Sequence, residues 1–329
     1  MKVGEKVLLF FIEKTNIYFQ LTTIFNLVKL GGKFNRILMN FMERISRLLL
    51  KSDLDKVIDK CLINNIFSAC SVAYLKIHVD KTESECLYYG NTGTEKSGMK
   101  VDGSTFFDLA SLTKPLVTSL SIMVLFEEGR VALDDTLAKF FKRSMPEKRD
   151  ITLYHLLTHS SGLPAHKEYY KRLITIPEKE RKKKVIDWIL DEKLSSAPGT
   201  SALYSDLGFM LLGEIVERVS GESLDVFWKK KITVPLKLDN DLFFTKKREI
   251  DSRGYAITGR CVWTHSELSG RVHDDNCRAL GGVAGHAGLF GSASGVLRLC
   301  EAILCTFCGR QDSFVIKERT LEIFFTKKR

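Results

Sequence analysis

Apolar and polar positions alternate along the chain in patterns that predict a few distinct elements. Residues 53–66 have the spacing of an amphipathic helix. Residues 70–79 and 86–89 form short apolar runs typical of strands, and we predict that they pair as a hairpin. From residue 111 to about residue 231 the pattern is mostly helical. A strand pair followed by a long helical block predicts a mixed α/β protein.

One predicted helix differs from the others because it is apolar around most of its circumference. It covers residues 116–126, and a helix of this kind is normally buried. Pro115 precedes it directly and lacks a backbone N–H, so proline is tolerated here only near the helix start. Ser111 must therefore lie at or just before the first turn of a buried helix.

Ser111 and Lys114 are three residues apart, the spacing that places two side chains on one helix face. The Lys114 amine can then reach the Ser111 hydroxyl. A helix N-terminus also favours the oxyanion that forms when a serine attacks a carbonyl. This combination predicts an acyl-transferring serine enzyme. Ser97 and Lys100 have the same spacing, but they lie in a polar stretch without an apolar helix, and we interpret Ser97 as a loop residue.

A second group of candidate residues is Tyr204-Ser205-Asp206, which precedes another apolar helical pattern. Ser205 or Asp206 is a natural cap for that helix. The hydroxyl of Tyr204 can point into the same positive region, where a nearby ammonium would help it to act as a general base. The alternative interpretation is a buried tyrosine beside an ordinary helix cap.

Four segments in order resemble the serine beta-lactamase-related family, which includes class C beta-lactamases, low-molecular-weight penicillin-binding proteins and beta-lactamase-like carboxylesterases. They are Ser111-Leu-Thr-Lys114, residues 153–164, Tyr204-Ser-Asp206 and residues 272–290. The resemblance extends over residues 53–328 and implies the beta-lactamase/transpeptidase-like fold. In that fold, helices flank an antiparallel sheet beside an all-helical region, and the active site lies in the cleft between the two.

The resemblance implies a role for each matching residue. Ser111 would be the acylated nucleophile, Lys114 the group that takes or tunes its proton, and Tyr204 the partner base. The expected reaction is hydrolysis of an ester or amide carbonyl through an acyl-Ser111 intermediate, with no metal or organic cofactor. The substrate would be a small molecule or peptide: a beta-lactam, a peptidoglycan peptide or a carboxylic ester.

Three further residues are predicted to contact the substrate: Asp206, His273 and His286. Asp206 stands where many relatives have asparagine, and a carboxylate cannot donate a hydrogen bond to a substrate carbonyl. This departure weakens the specific expectation of a beta-lactamase. His273 with the two following acidic residues is a poor metal cage, and we expect it at the rim of the cleft.

The C-terminal part departs further from the family pattern. Relatives carry a third motif, Lys-Thr-Gly or His-x-Gly, on a strand near the C-terminus, whereas the sequence has His-x-Gly only at 286–288, in a glycine-rich stretch. Two helix-like segments, 296–308 and 316–325, follow it. We therefore expect the family's C-terminal strands to be missing and one sheet edge to be exposed. The alternative to an active hydrolase is a catalytically impaired remnant that binds wall peptide or a protein partner.

Length and composition suit a globular protein, with 329 residues of which 44% are apolar. We divide the chain into an N-terminal extension of uncertain role, 1–52, and an incomplete hydrolase domain, 53–329. Residues 1–12 open like a signal peptide, but Glu13 and Lys14 end the apolar run. Membrane association through this segment is not favoured, and we expect a cytoplasmic protein, with the cell envelope as the alternative.

Other features suggest partners that we do not expect. The net charge is +10, yet the basic run 179–184 contains an acid and leads into a helix, so a solvated face is favoured over nucleic-acid binding. Three cysteines, at 300, 305 and 308, fall within an apolar helical run, which favours packing over metal binding. His155 and His159 share a helix face, and we expect them to make core or cap contacts.

Overall fold

The computed structural model describes residues 6–13, 17–21, 51–77, 82–93, 98–143, 145–245, 254–263, 265–310 and 314–325. The strands are β1 (Lys6–Glu13), β2 (Ile17–Leu21), β3 (Ala69–Ile77), β4 (Thr82–Gly90), β5 (Phe107–Asp108), β6 (Leu242–Phe244), β7 (Gly259–Arg260), β8 (Glu267–Leu268) and β9 (Leu289–Gly291). The α-helices are α1 (Lys51–Ile63), α2 (Leu120–Glu127), α3 (Leu137–Phe140), α4 (Leu153–Leu157), α5 (Tyr170–Leu173), α6 (Glu178–Asp191), α7 (Asp206–Ser220), α8 (Leu224–Trp228), α9 (Asp275–Ala279), α10 (Ala293–Phe307) and α11 (Glu318–Phe325).

The largest sheet is antiparallel, with the strand order β2-β1-β3-β4. The predicted hairpin is confirmed, because β3 and β4 pair from Ala69 opposite Gly90 to Ile77 opposite Thr82. Gly90 ends β4 with a φ of 76°, and a Cβ there would lie 2.1 Å from the Ser68 carbonyl oxygen. Only glycine suits this tight turn.

The edge of β3 away from β4 pairs with β1, from Lys6 opposite Ile77 to Glu13 opposite Cys70. The expectation that the sheet has an exposed edge stays a prediction. An apolar run that resembles the start of a signal peptide thus forms a strand of the main sheet. The periodicity of a single short run does not reveal its partner, which is why the sequence did not indicate this pairing. Among the described strands, β2 forms the sheet edge on this side.

Helices cover both faces of this sheet. Alternate residues of β3 point to opposite faces. Cys70 and Val72 pack with Ile58 of α1, whereas Ala73 and Leu75 belong to the main core on the side of α10. The predicted amphipathic helix is thereby confirmed, and it ends before Asn65, whose φ is 53°.

Beside the sheet lies a helical region that includes α2 to α8. The main core joins it to the sheet through buried residues of α2, α7 and α10. A three-stranded sheet, ordered β5-β9-β6, and the pair β7–β8 complete the described strands. The predicted fold, an antiparallel sheet flanked by helices next to an all-helical region, is confirmed. The two predicted late helices correspond to α10 and α11.

The predicted central helix is a continuous helical segment in which three types of helix follow one another. A 3-10 turn at Ala110–Leu112 leads into a π-helical stretch at Lys114–Ser119 and then into α2. The segment Ala110–Glu127 is long and apolar enough to cross a membrane, but 67% of it is buried inside the fold. The indole nitrogen of Trp228 donates to the Leu116 carbonyl at 2.8 Å, which ties α8 to this segment.

Candidate active site

The backbone before Ser111 is held in an unusual conformation. Ala110 has a φ of 43°, a value that costs free energy for a residue other than glycine. Two hydrogen bonds maintain it: Asp108 Oδ1 accepts from the Ala110 N–H at 2.9 Å, and Thr113 Oγ1 donates to the Ala110 carbonyl at 2.6 Å. Ser111 therefore starts the 3-10 turn from a fixed position. Strain of this kind is characteristic of functional sites.

Lys114 lies behind Ser111, with only 4% of its side chain exposed. Its ammonium nitrogen is 3.0 Å from Ser111 Oγ, 3.0 Å from the carbonyl oxygen of His286 and 2.7 Å from Asp206 Oδ1. An ammonium has three N–H donors, and these three acceptors are within hydrogen-bond distance of it, with the Tyr204 hydroxyl as a fourth polar neighbour. The predicted contact between amine and hydroxyl is present.

The surroundings of Lys114 favour its charged form. Burial alone would lower its pKa, but the negative charge of Asp206, with a contribution from Tyr204, outweighs burial and raises the pKa above its usual value. Burial also disfavours the charged form of Asp206 and by itself would raise the pKa of this carboxyl. The hydrogen bond with His166 and the charge of Lys114 outweigh burial and hold the pKa of Asp206 far below its usual range. The resting site thus contains an ammonium and a carboxylate.

Tyr204 joins the site from the loop before α7. Lys114 Nζ lies 4.8 Å from the centroid of its ring, and the His159 ring packs on it with centroids 4.5 Å apart. The predicted cap is Ser205, whose hydroxyl accepts from the Gly208 N–H at 3.2 Å. The structure therefore brings the three predicted catalytic residues together, with Tyr204 beside the lysine that contacts Ser111.

His159 and His155 make the cap contacts that the sequence predicted. His159 Nδ1 accepts a hydrogen bond from the Ser205 N–H at 3.0 Å, just before α7. Burial and the neighbouring Lys114 charge lower the pKa of His159 to about 4, so the ring is neutral at pH 7. His155 forms a capping box with Thr152 at the start of α4. His159 thus positions the Tyr204 loop as a neutral acceptor.

The glycine-rich stretch forms a loop between α9 and β9 and contacts Lys114 through the His286 carbonyl. Gly285 lies so close to α7 that a Cβ would meet the Phe209 carbonyl oxygen at 2.0 Å. Its own carbonyl accepts from Thr118 Oγ1 at 2.6 Å. Because the next residue supplies the carbonyl that binds Lys114, this close packing fixes the depth of the ammonium.

The residues predicted to contact substrate occupy different places. Asp206 lies in the site as the partner of Lys114. The His286 side chain is 1% exposed, and its Nε2 is 2.9 Å from Asp274 Oδ1, so its contribution at the site is the carbonyl group. His273 is exposed, and its backbone N–H donates to Asp108 Oδ2 at 2.7 Å, beside the start of the nucleophile segment. Their contact with a substrate stays a prediction.

Three acidic or histidine residues of this network were not predicted from the sequence. They are Asp108, His166 and Asp274. Asp108 is buried and orients Ala110, while Asp274 caps α9 through the Cys277 N–H at 2.7 Å and pairs with His286. His166 Nδ1 is 3.0 Å from Asp206 Oδ2. Asp108 carried a signal because it is near the nucleophile motif, and Asp274 because it directly follows His273, whereas His166 is brought close by its loop. Across the described ranges, no cluster of His, Cys, Asp or Glu could hold a metal ion.

Comparison with known proteins identifies a family and relatives of this chain. A family model, Beta-lactamase, matches residues 77–321. An N-acetylmuramyl-L-alanine amidase of Bacillus subtilis (strain 168) is 29% identical over 250 residues, which are 68% of this chain and 55% of that protein. An Escherichia coli (strain K12) protein with the provisional name D-alanyl-D-alanine carboxypeptidase is 30% identical over 251 residues, which are 70% of this chain and 58% of that protein.

A solved structure shows the same fold. The octameric penicillin-binding protein homologue from Pyrococcus abyssi superimposes with a TM-score of 0.64 at 24% identity, over 82% of this chain and 59% of that one. The chain spans a little over half the length of the curated relatives that it matches. The matched family model includes Ser111, Lys114, Tyr204 and Asp206 and most of the described fold. The chain belongs to the beta-lactamase family.

Proposed function

We propose that the protein is a serine hydrolase that cleaves the amide bond of a small wall-type peptide through an acyl-Ser111 intermediate. The observation that carries the proposal is the 3.0 Å contact between Lys114 Nζ and Ser111 Oγ, at a buried lysine that has two further acceptors within hydrogen-bond distance. An amine held in this way against a serine hydroxyl is placed to exchange a proton with it.

The chemistry follows from these contacts. Ser111 Oγ attacks the carbonyl carbon, and its proton passes to the general base, which is Lys114 or Tyr204 after that residue has lost its own proton. The oxyanion forms beside the N-terminus of a long helical segment, whose dipole favours negative charge. The general base returns this proton to the leaving amine, which departs, and the base is then free to accept a proton from water. Water then attacks the acyl-serine, which releases the acid and restores the hydroxyl.

The choice of an amide substrate rests on the relatives. The two curated proteins are named for cleavage next to L-alanine and D-alanine in wall peptides. Asp206 does not decide between these substrates, because its carboxylate serves Lys114 and cannot donate to the carbonyl of either a peptide or a beta-lactam. In this proposal a penicillin is an acylating inhibitor and a simple ester is a slow substrate.

The test is intact-mass spectrometry of the full chain after exposure to a fluorophosphonate and, separately, to a penicillin. We expect one adduct with each reagent, absent in Ser111→Ala and retained in Ser97→Ala, which removes the serine of the other S-x-x-K match. Release of D-alanine from a peptide ending in D-alanyl-D-alanine should then exceed hydrolysis of a p-nitrophenyl ester. Ester hydrolysis alone would reassign the substrate class.

A non-catalytic remnant that binds wall peptide is the competing function, and the same experiment separates it from an enzyme. A folded protein without an adduct, which still binds the peptide in equilibrium dialysis, would replace the hydrolase proposal by the remnant. Circular dichroism and a cooperative thermal transition establish that the protein tested is folded.

A further inference from the structure

The nucleophile is linked to the surface by a chain of four side chains. Ser111 contacts Lys114 at 3.0 Å, Lys114 contacts Asp206 at 2.7 Å, and Asp206 contacts His166 at 3.0 Å. The first two contacts are expected of a serine–lysine site. The last one connects that site to a histidine whose side chain is 47% exposed.

The position of His166 is fixed by its loop. The Ala165 carbonyl accepts from the Asp206 N–H at 2.8 Å, and Ser205 Oγ donates to the Pro164 carbonyl at 2.7 Å. Two hydrogen bonds thus attach the residues before His166 to the start of α7. The imidazole is held against Asp206 Oδ2, while Lys114 binds Oδ1 of the same carboxylate.

We propose that His166 is a positioning residue that competes with Lys114 for Asp206 and so controls when Lys114 can accept the proton of Ser111. A protonated imidazole shares the negative charge of Asp206, which weakens the hold of the carboxylate on the ammonium. Lys114 then releases its proton more readily. A neutral imidazole leaves the full charge to Lys114 and keeps it an ammonium. This role rests on the proposed serine chemistry.

The charges around His166 support a protonated state near neutral pH. Its hydrogen bond to Asp206 raises the pKa of the ring, against a smaller effect of burial, and the charges of Asp206, Asp274 and Glu168 add to the increase. These acids come from α7, from the cap of α9 and from its own loop. Lys114 is the cation that acts through Asp206.

The proposal predicts a particular pH profile. Two cations share one carboxylate, and the reactive form has an imidazolium and a neutral lysine. At pH values between the pKa of His166 and the pKa of Lys114, this form is a constant fraction of the protein. The acylation rate therefore reaches a plateau at pH values above the pKa of His166. Without a titrating residue at 166, the rate rises about tenfold per pH unit until Lys114 itself ionises.

The variant that tests this is His166→Asn, whose amide nitrogen can take the place of Nδ1 and keep the hydrogen bond without titrating. The rate of fluorophosphonate labelling is measured by intact mass from pH 5 to pH 9. We expect a plateau in the unmodified protein and a continuous rise in His166→Asn. His265→Asn is the matched control: His265 is exposed on the turn between β7 and β8, with a φ of 53° that asparagine tolerates.

A second measurement does not depend on activity. NMR titration of the His166 ring in the full chain should show its pKa shifted upward in Lys114→Gln, which removes the competing cation, and downward in Asp206→Asn. An unchanged His166 titration in Lys114→Gln, or the same pH profile for His166→Asn and the unmodified protein, would overturn the proposal. Absence of labelling in the unmodified protein would contradict the proposed hydrolase function. The NMR titration would still show whether His166 and Lys114 compete for Asp206.

Discussion

The carboxylate of Asp206 lies 2.7 Å from the buried ammonium of Lys114. The side chains are 4% and 18% exposed, so water screens this pair little. An isolated charge at either position would be costly, and each residue makes the charged form of the other acceptable. The site therefore requires the pair as a unit, and the nucleophile depends on a residue 95 positions away in sequence.

Asp206→Asn should destabilise the fold, because it leaves a buried ammonium without its counter-charge. The expected loss in the free energy of unfolding is about 3 kcal/mol at pH 7, measured by urea denaturation. The raised pKa of Lys114 implies that the pair stabilises the protein below the lysine's ordinary ionisation and less as the pH rises through it. The difference between variant and parent should therefore shrink in alkaline solution.

Asp150→Asn is the matched control for this charge removal. Asp150 pairs with Arg149 at 3.4 Å, and both side chains are mostly exposed, so its replacement should change the free energy of unfolding by less than about 0.5 kcal/mol. Equal losses in the two variants would contradict the role assigned to burial at Asp206.

Ionisation of Asp274 should make the free energy of unfolding depend on pH in acidic solution. Burial would raise its pKa, but His286 and the Cys277 N–H lower it to about 2. Its contribution is then present above the ordinary pKa of aspartate and lost as the pH falls through about 2. Asp274→Asn should cost about 2 kcal/mol at pH 7 and only about 0.4 kcal/mol at pH 2, where half of the carboxyl groups are protonated. Urea denaturation at both pH values measures this, and a loss of equal size at pH 2 would exclude the electrostatic explanation.

Gly285→Ala should damage both stability and the site. The new methyl group would meet the Phe209 carbonyl at 2.0 Å, so the loop must move away from α7, at a cost of about 3 kcal/mol. Because the His286 carbonyl moves with the loop, fluorophosphonate labelling of Ser111 should also slow. Thermal denaturation and intact mass give the two readouts.

Gly129→Ala provides the comparison for that glycine. Gly129 has a φ of 67°, and a methyl group added there would have no neighbouring atom within 4 Å, so only the backbone preference is lost, about 1 kcal/mol. Labelling of Ser111 should be unchanged. A similar effect of both substitutions would show that close packing of the loop is not what fixes Lys114.

Removal of residues 1–41 should expose the edge of β3 that β1 covers. An uncovered strand edge pairs with other chains, so we expect higher-order species in size-exclusion chromatography with light scattering. Removal of residues 1–5 leaves β1 and β2 intact and should leave the elution unchanged. A monomeric protein after the longer deletion would show that β1 is dispensable for covering the edge.

Local patterns predicted the parts of this fold that depend on near neighbours. The β3–β4 hairpin, the buried helical segment and the Ser111–Lys114 contact all follow from spacings of a few residues. His166 could not be found in this way. Its position depends on a backbone hydrogen bond between loops far apart in sequence, from the Asp206 N–H to the Ala165 carbonyl, and no residue pattern records it.

The pairing of β1 with β3 also determines the order in which the sheet can form during synthesis. The paired segments are separated by more than fifty residues, so β1 and β2 leave the ribosome well before β3 exists. Among the described strands, β1 and β2 have only each other as partners until then, and an isolated two-stranded hairpin is marginally stable. The sheet can be completed only after β3 emerges, and closing this long separation raises the contact order of the fold and slows its formation.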